Sequence, residues 1–167
     1  MQRIMIVGIS GAGKSTLSRF LGHRFNLPYH HLDNIYHSAG WVARPLDEVK
    51  RDFDAIAAQD KWVVDGNYRK ASAALRERAD IVIFLDYGRL FAIWQVVKRW
   101  AFHHLGIRKR PDLPEGSPEQ LPLSFIAWVW NWHANNRPNW VLEMANMGDK
   151  ARVFTSRRAL NQWMKTL

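Results

Sequence analysis

The chain has 167 residues, 47% of them hydrophobic, and carries 24 lysines and arginines against 15 aspartates and glutamates, a formal charge of +9. Such a length and composition suit one globular domain with a core of its own. The lack of cysteine excludes disulfides and thiolate metal sites. No apolar run approaches the ~18 residues of a membrane span, and no signal peptide precedes the first predicted strand, so a cytoplasmic location is expected.

The run Arg-Ile-Met-Ile-Val at 3–7 is apolar and β-branched and predicts a buried strand. Residues 8–15 then read Gly-Ile-Ser-Gly-Ala-Gly-Lys-Ser, which matches the phosphate-binding pattern G-x-x-x-x-G-K-[ST]. Leu17, Phe20, Leu21 and Phe25 follow at helical spacing. Strand, glycine loop and helix form the context in which that pattern binds phosphate. The glycines allow a tight turn that aims backbone N–H groups inward. The helix start adds unpaired N–H groups and about half a positive charge. Gly8, Ile9, Ser10, Gly11, Ala12, Gly13, Lys14, Ser15 and Thr16 are therefore the predicted nucleotide cradle. Lys14 would reach the β- and γ-phosphates of ATP, and the Ser15 hydroxyl would ligate Mg²⁺.

Residues 29–33 predict a short second strand ending in Asp33, followed by a loop over 34–44 that contains Gly40 and Trp41. Pro45 fits the first turn of a helix, continued by Leu46, Val49, Phe53, Ile56 and Ala57. Residues 61–65 predict a third strand, again ending in aspartate (Asp65), and 70–78 a short helix. Residues 81–85, Ile-Val-Ile-Phe-Leu, predict a fully buried strand. A long helix over about 89–102 is predicted to turn Leu90, Ile93, Trp94, Val97 and Trp100 or Ala101 inward. Residues 103–119, rich in proline and cations, read as a mobile basic loop. Residues 122–147 read as helix, with Phe125, Trp128, Val129 and Trp132 on one face and a break at Pro138. A last strand over 151–155 and a closing helix over 158–167 complete the chain. Alternating strands and helices predict a parallel, doubly wound sheet with Gly8 to Ser15, Asp33 and Asp65 along its carboxyl edge, where such sheets bind ligands.

Adjacent His30 and His31 would point to opposite faces of a strand, so they make poor joint metal ligands. The basic charge would draw phosphorylated substrates and, without sequence specificity, nucleic acid. No helix-turn-helix is evident.

Taken together, these motifs resemble small P-loop kinases of the adenylate kinase and shikimate kinase type. The chain is more closely similar to bacterial topology-modulation (FlaR-like) proteins. The carriers are the loop at 8–15, His-Leu-Asp at 31–33, Gly40 with Trp41, Trp-Val-Val-Asp-Gly-Asn-Tyr at 62–68, Ile-Phe-Leu-Asp at 83–86, the proline-rich stretch at 110–119, and the tryptophan-rich helix ending at Arg137 and Pro138. The resemblance implies a single three-layer P-loop domain over 1–167, with a five-stranded parallel sheet of order 2-3-1-4-5. It places an acceptor-binding region at about 33–60 and a LID at about 103–120. It also implies roles. Asp33 would bind an acceptor hydroxyl, orienting it and accepting its proton, or a water on the metal; Asp65 would hold water on Mg²⁺, with Asp86 a weaker candidate. Arg108 and Arg110 of the LID, together with Lys14, would neutralise the transferring phosphoryl group. Arg99 and Arg157 would face the nucleotide. Gly66 would let backbone approach the acceptor, Arg44 and Arg69 would hold an acceptor phosphate, and Trp41 with Tyr36 would wall the acceptor pocket. The expected activity is ATP- and Mg²⁺-dependent phosphoryl transfer to a nucleotide or a hydroxylated metabolite. A nucleic-acid-binding protein with an ATP switch, or a slow ATPase, are the alternatives. The acceptor, the choice of ATP over GTP and the oligomeric state stay open at this level.

Overall fold

The computed structural model describes residues 1–107 and 121–167. Five strands form one parallel sheet: β1 (Arg3–Gly8), β2 (Tyr29–His31), β3 (Trp62–Asp65), β4 (Ile81–Leu85) and β5 (Ala151–Phe154). Their order across the sheet is β2-β3-β1-β4-β5, the predicted 2-3-1-4-5. The register sets Ile6 beside Asp65, Gly8 beside Leu85, and His31 beside Asp65. The carboxyl ends of β2 and β3 therefore finish level, and β1 runs two residues further to finish level with β4. β3 and β4 are buried along their whole length, and β1 from Ile4 onward. That follows from their continuous Val, Ile and Leu runs, which suit a sheet covered on both faces.

Eight helices are described around this sheet: α1 (Lys14–Phe25), α2 (Leu32–Tyr36), α3 (Leu46–Ala58), α4 (Ala73–Arg78), α5 (Arg89–His104), α6 (Leu123–Asn135), α7 (Arg137–Met147) and α8 (Arg157–Met164). α3 buries Val49, Phe53, Ile56 and Ala57, as their spacing requires. The predicted break at Pro138 is present: α6 ends and α7 begins around Asn136, with the proline in the first turn of α7, where its missing N–H costs nothing. Among the described residues no helix is long and apolar enough to cross a membrane.

Three expectations are corrected. β2 stops at His31, and Asp33 lies in the first turn of α2 rather than at a strand end. The predicted 34–44 loop is instead the rest of α2 followed by a two-residue antiparallel ladder pairing His37 with Ala43 and Ser38 with Val42. The third concerns α5, which turns Ala92 and Val96 inward and leaves Leu90 72% and Trp94 54% exposed. The α5 backbone lies close to the glycine loop: a Cβ placed on Gly11 would sit 2.6 Å from the Ala92 carbonyl oxygen, so the bareness of Gly11 permits the approach.

An ion pair fixes the start of β1. Asp80 accepts bonds from the Gln2 and Arg3 amides at 2.7 and 3.1 Å and from the Arg3 guanidinium at 2.8 Å. Burial alone would raise the Asp80 pKa, but these bonds outweigh it and lower the carboxyl from 3.8 to about 2. A depressed carboxylate contributes stability above its unfolded pKa and loses it as pH falls through the folded one. The pair is about one third exposed (31% and 32%), so its worth is about 1 kcal/mol after solvent screening. Asp80→Asn is expected to lower the melting temperature by about 2–4 °C at neutral pH. The two melting curves should converge between about pH 4 and pH 2, a comparison that thermal unfolding across pH can make.

Candidate active site

The loop between β1 and α1 folds as the octapeptide predicts. Gly13 caps α1 with φ 92°, and the amides of Thr16 and Leu17 close onto its carbonyl at 3.1 and 3.0 Å. Above the carboxyl edge lies a cavity of about 490 Å³. It is lined by Ser10 to Leu17 and by His31, Asp33, Trp41, Asp65, Arg99 and Arg157 among others. Two predicted cradle residues do not line it. Ile9 is fully buried, and the Gly8 amide donates to Asn67 Oδ1 at 3.0 Å while Asn67 Nδ2 donates back to the Gly8 carbonyl at 2.6 Å. The Asn67 side chain thus clamps the first peptide of the loop from β3's end, and it takes up the N–H that the motif alone would have offered to phosphate.

The Lys14 ammonium donates to the Gly8 and Ile9 carbonyls at 3.0 and 3.2 Å, folded back over its own loop. Burial pulls its pKa below the ordinary lysine value; Asp33 and Asp65 oppose that shift and Arg99 adds to it. These four groups therefore share one electrostatic site.

Asp65 is 4% exposed and is the most heavily bonded carboxylate at the edge. Its Oδ1 accepts from the Ser15 hydroxyl at 3.3 Å, and its Oδ2 from the Ser18 hydroxyl at 2.7 Å and from His31 Nδ1 at 2.6 Å. Ser15 and Asp65 thus present two hard oxygen donors side by side beneath the loop. No cluster of three or more metal-ligating side chains is found among the described residues. Mg²⁺ is commonly held in phosphoryl-transfer sites by one or two protein oxygens plus waters and phosphate oxygens, and the pair fits that pattern.

Asp33 projects from α2 into the cavity, and its Oδ1 accepts from the Tyr68 phenol at 2.6 Å. Trp41 lines the same cavity with φ 63°, a left-handed conformation rare for a bulky residue. Gly66 acts differently from expectation. A Cβ there would lie 2.8 Å from the Leu32 Cβ, at φ 153°. Its bareness lets Leu32, the first residue of α2, seat against β3's end. Gly66→Ala should therefore displace α2 and its Asp33. The expected cost is about 1–3 kcal/mol of stability, with Mg·ATP affinity changed by less than about threefold, read by thermal melts and nucleotide titration.

Other predicted site residues are engaged elsewhere. The Arg44 guanidinium binds the Asp52 carboxylate at 2.8 Å, the Glu48 carboxylate at 3.4 Å and the Ile35 carbonyl at 2.9 Å, which ties α3 to α2. Arg69 pairs with Glu143 of α7 at 3.0 Å. Neither lines the cavity. Asp86 takes a bidentate pair from Arg137 at 2.7 and 2.8 Å, so its carboxylate anchors the start of α7 instead of facing a metal. Arg108 and Arg110 lie outside the described residues. Sequence reasoning missed Asn67, Tyr68 and the bond from His31 to Asp65. The signal available was the Asp-Gly-Asn-Tyr string at 65–68, whose polar residues directly follow a buried strand.

A parallel sheet of this order with a phosphate loop between β1 and α1 is the fold of P-loop kinases. Solved structures agree. The chain is similar to shikimate kinase from Acinetobacter baumannii in complex with shikimate, at 14% identity over 99% of this chain and 90% of that one, with a TM-score of 0.63. It is also similar to shikimate kinase from Bacteroides thetaiotaomicron, at 16% identity over 98% of each chain, with a TM-score of 0.56. No protein-family model and no curated protein sequence matches the chain.

Proposed function

We propose that the protein is a kinase that transfers the γ-phosphoryl group of ATP to a hydroxyl of a small acceptor. The observation that carries this reading is the convergence of the glycine loop, Lys14, Arg99, Asp33 and Asp65 on one cavity of kinase-like topology. Phosphoryl transfer needs charge stabilisation on the moving group and alignment of the attacking and leaving oxygens. The loop amides and Lys14 supply donors for the β- and γ-phosphates, with Arg99 and Arg157 as further cations on the cavity wall. Arg108 and Arg110 are the proposed additional cations. Ser15 and Asp65 would hold Mg²⁺, which when bound spreads charge from the phosphate oxygens. Asp33 orients the acceptor hydroxyl and receives its proton as the oxygen attacks phosphorus.

The similarity to shikimate kinases supports a hydroxylated metabolite as acceptor. The pairing of Arg44 and Arg69 with carboxylates weakens the case for an acceptor phosphate held by those two residues. The resemblance to topology-modulation proteins, together with the +9 charge, supports a second reading in which ATP switches nucleic-acid binding. ATP consumption measured across nucleosides, nucleoside monophosphates, sugars and small hydroxy acids separates these readings. Release of ADP that depends on one acceptor class is the expected result. Consumption independent of every acceptor would mark a hydrolase, and no consumption with salt-resistant nucleic-acid binding would favour the switch.

A further inference from the structure

We infer that Tyr68 is a positioning residue for Asp33: its phenol holds one carboxylate oxygen so that the other meets the acceptor hydroxyl. The inference rests on the kinase reading and adds a residue to it. The Tyr68 hydroxyl donates to Asp33 Oδ1 at 2.6 Å, a short, charge-assisted bond. Burial and the neighbouring Asp33 carboxylate push the phenol's pKa far above its ordinary value, so at working pH it is the donor and Asp33 the acceptor. An ionised carboxylate has room for further donors on its second oxygen.

The phenol is itself held. Its ring stacks on Tyr36 with centroids 4.3 Å apart and planes 22° from parallel, and meets the edge of Phe53 at 6.0 Å. Phe53 is fully buried in α3. Tyr36 closes α2, the helix that carries Asp33 in its first turn. The bond therefore joins two segments, the strand end at β3 and the short helix α2, across 35 residues of sequence. A short exposed helix would otherwise leave the Asp33 carboxylate to sample several rotamers. The phenol selects one.

Tyr68→Phe keeps the ring between Tyr36 and Phe53 and removes only the donor. With the acceptor found in the screen above, kcat should fall about 10- to 100-fold, the range for a lost hydrogen bond to a charged group. KM for ATP and calorimetric Mg·ATP affinity should stay within about twofold. In an Asp33→Asn background the same change should cost less than about twofold, because the two residues act as one unit. A residue that merely supported the fold would instead lower the melting temperature and add its cost in both backgrounds. Unchanged kcat in Tyr68→Phe, or full additivity with Asp33→Asn, would overturn the inference while leaving the kinase reading intact. A wild-type protein that phosphorylates no acceptor would overturn both.

Discussion

Replacing Lys14 with alanine is expected to reduce phosphoryl transfer by at least about 10²–10³-fold, the scale on which a preorganised transition-state donor acts. The ammonium sits at the mouth of the loop, bonded to the Gly8 and Ile9 carbonyls. A triphosphate arriving in the cavity offers it far stronger acceptors than two neutral carbonyls. Release from the carbonyls toward the phosphates puts a full charge where negative charge concentrates during transfer. The loss should appear in kcat with every acceptor and in nucleotide affinity as well. Stability should change little, because burial and Arg99 already disfavour the charged ammonium. Lys14→Met, which keeps most of the volume, is expected to melt within about 4 °C of wild type. Comparable turnover in Lys14→Ala and wild type would remove the proposed site.

Asp33→Asn is expected to lower kcat by about 10²–10⁴-fold, the range for a positioned general base. The amide preserves size and still accepts from Tyr68 through its carbonyl oxygen, but it cannot take the acceptor's proton. Mg·ATP affinity should hold within about threefold, since Asp65 and Ser15, not Asp33, form the bonded pair beneath the loop. The expected signature is therefore a split: nucleotide binding retained, chemistry lost. Rapid-quench turnover beside equilibrium nucleotide titration measures both halves. If Asp33→Asn binds nucleotide poorly and transfers phosphate at a normal rate once saturated, Asp33 belongs to the nucleotide site and not to the acceptor.

These two residues were legible in the sequence for different reasons. Lys14 sits in a pattern whose chemistry is local: the loop must turn tightly, expose amides and present a cation, and eight consecutive residues carry all of that. Asp33 was legible only by position, as a carboxylate ending a short predicted strand, and it lies instead in the first turn of α2. The backbone turns helical at Leu32, and the bare Gly66 leaves room for that leucine. The parallel, doubly wound class was legible because buried runs alternate with amphipathic helices, whereas the strand order came from the resemblance to small P-loop kinases.

What was illegible depends on contacts between distant segments. The Asn67 clamp on Gly8 bridges 59 residues, and the pairing of Arg69 with Glu143 bridges 74. No local pattern announces either partner. Arg44 reads as an exposed cation near the acceptor region, yet it is committed to Asp52 and Glu48 on α3. The inward face of α5 was misread because hydrophobic spacing favours the large residues Leu90 and Trp94. The helix instead turns Ala92 and Val96 inward, with the Ala92 carbonyl against the bare Gly11.

The proposed nucleotide binding is tested most directly by isothermal titration calorimetry of the intact protein with ATP in the presence and absence of Mg²⁺. Saturable one-to-one binding that Mg²⁺ alters and that Lys14→Ala weakens sharply is the expected result. A folded protein that takes up no nucleotide under either condition would contradict it.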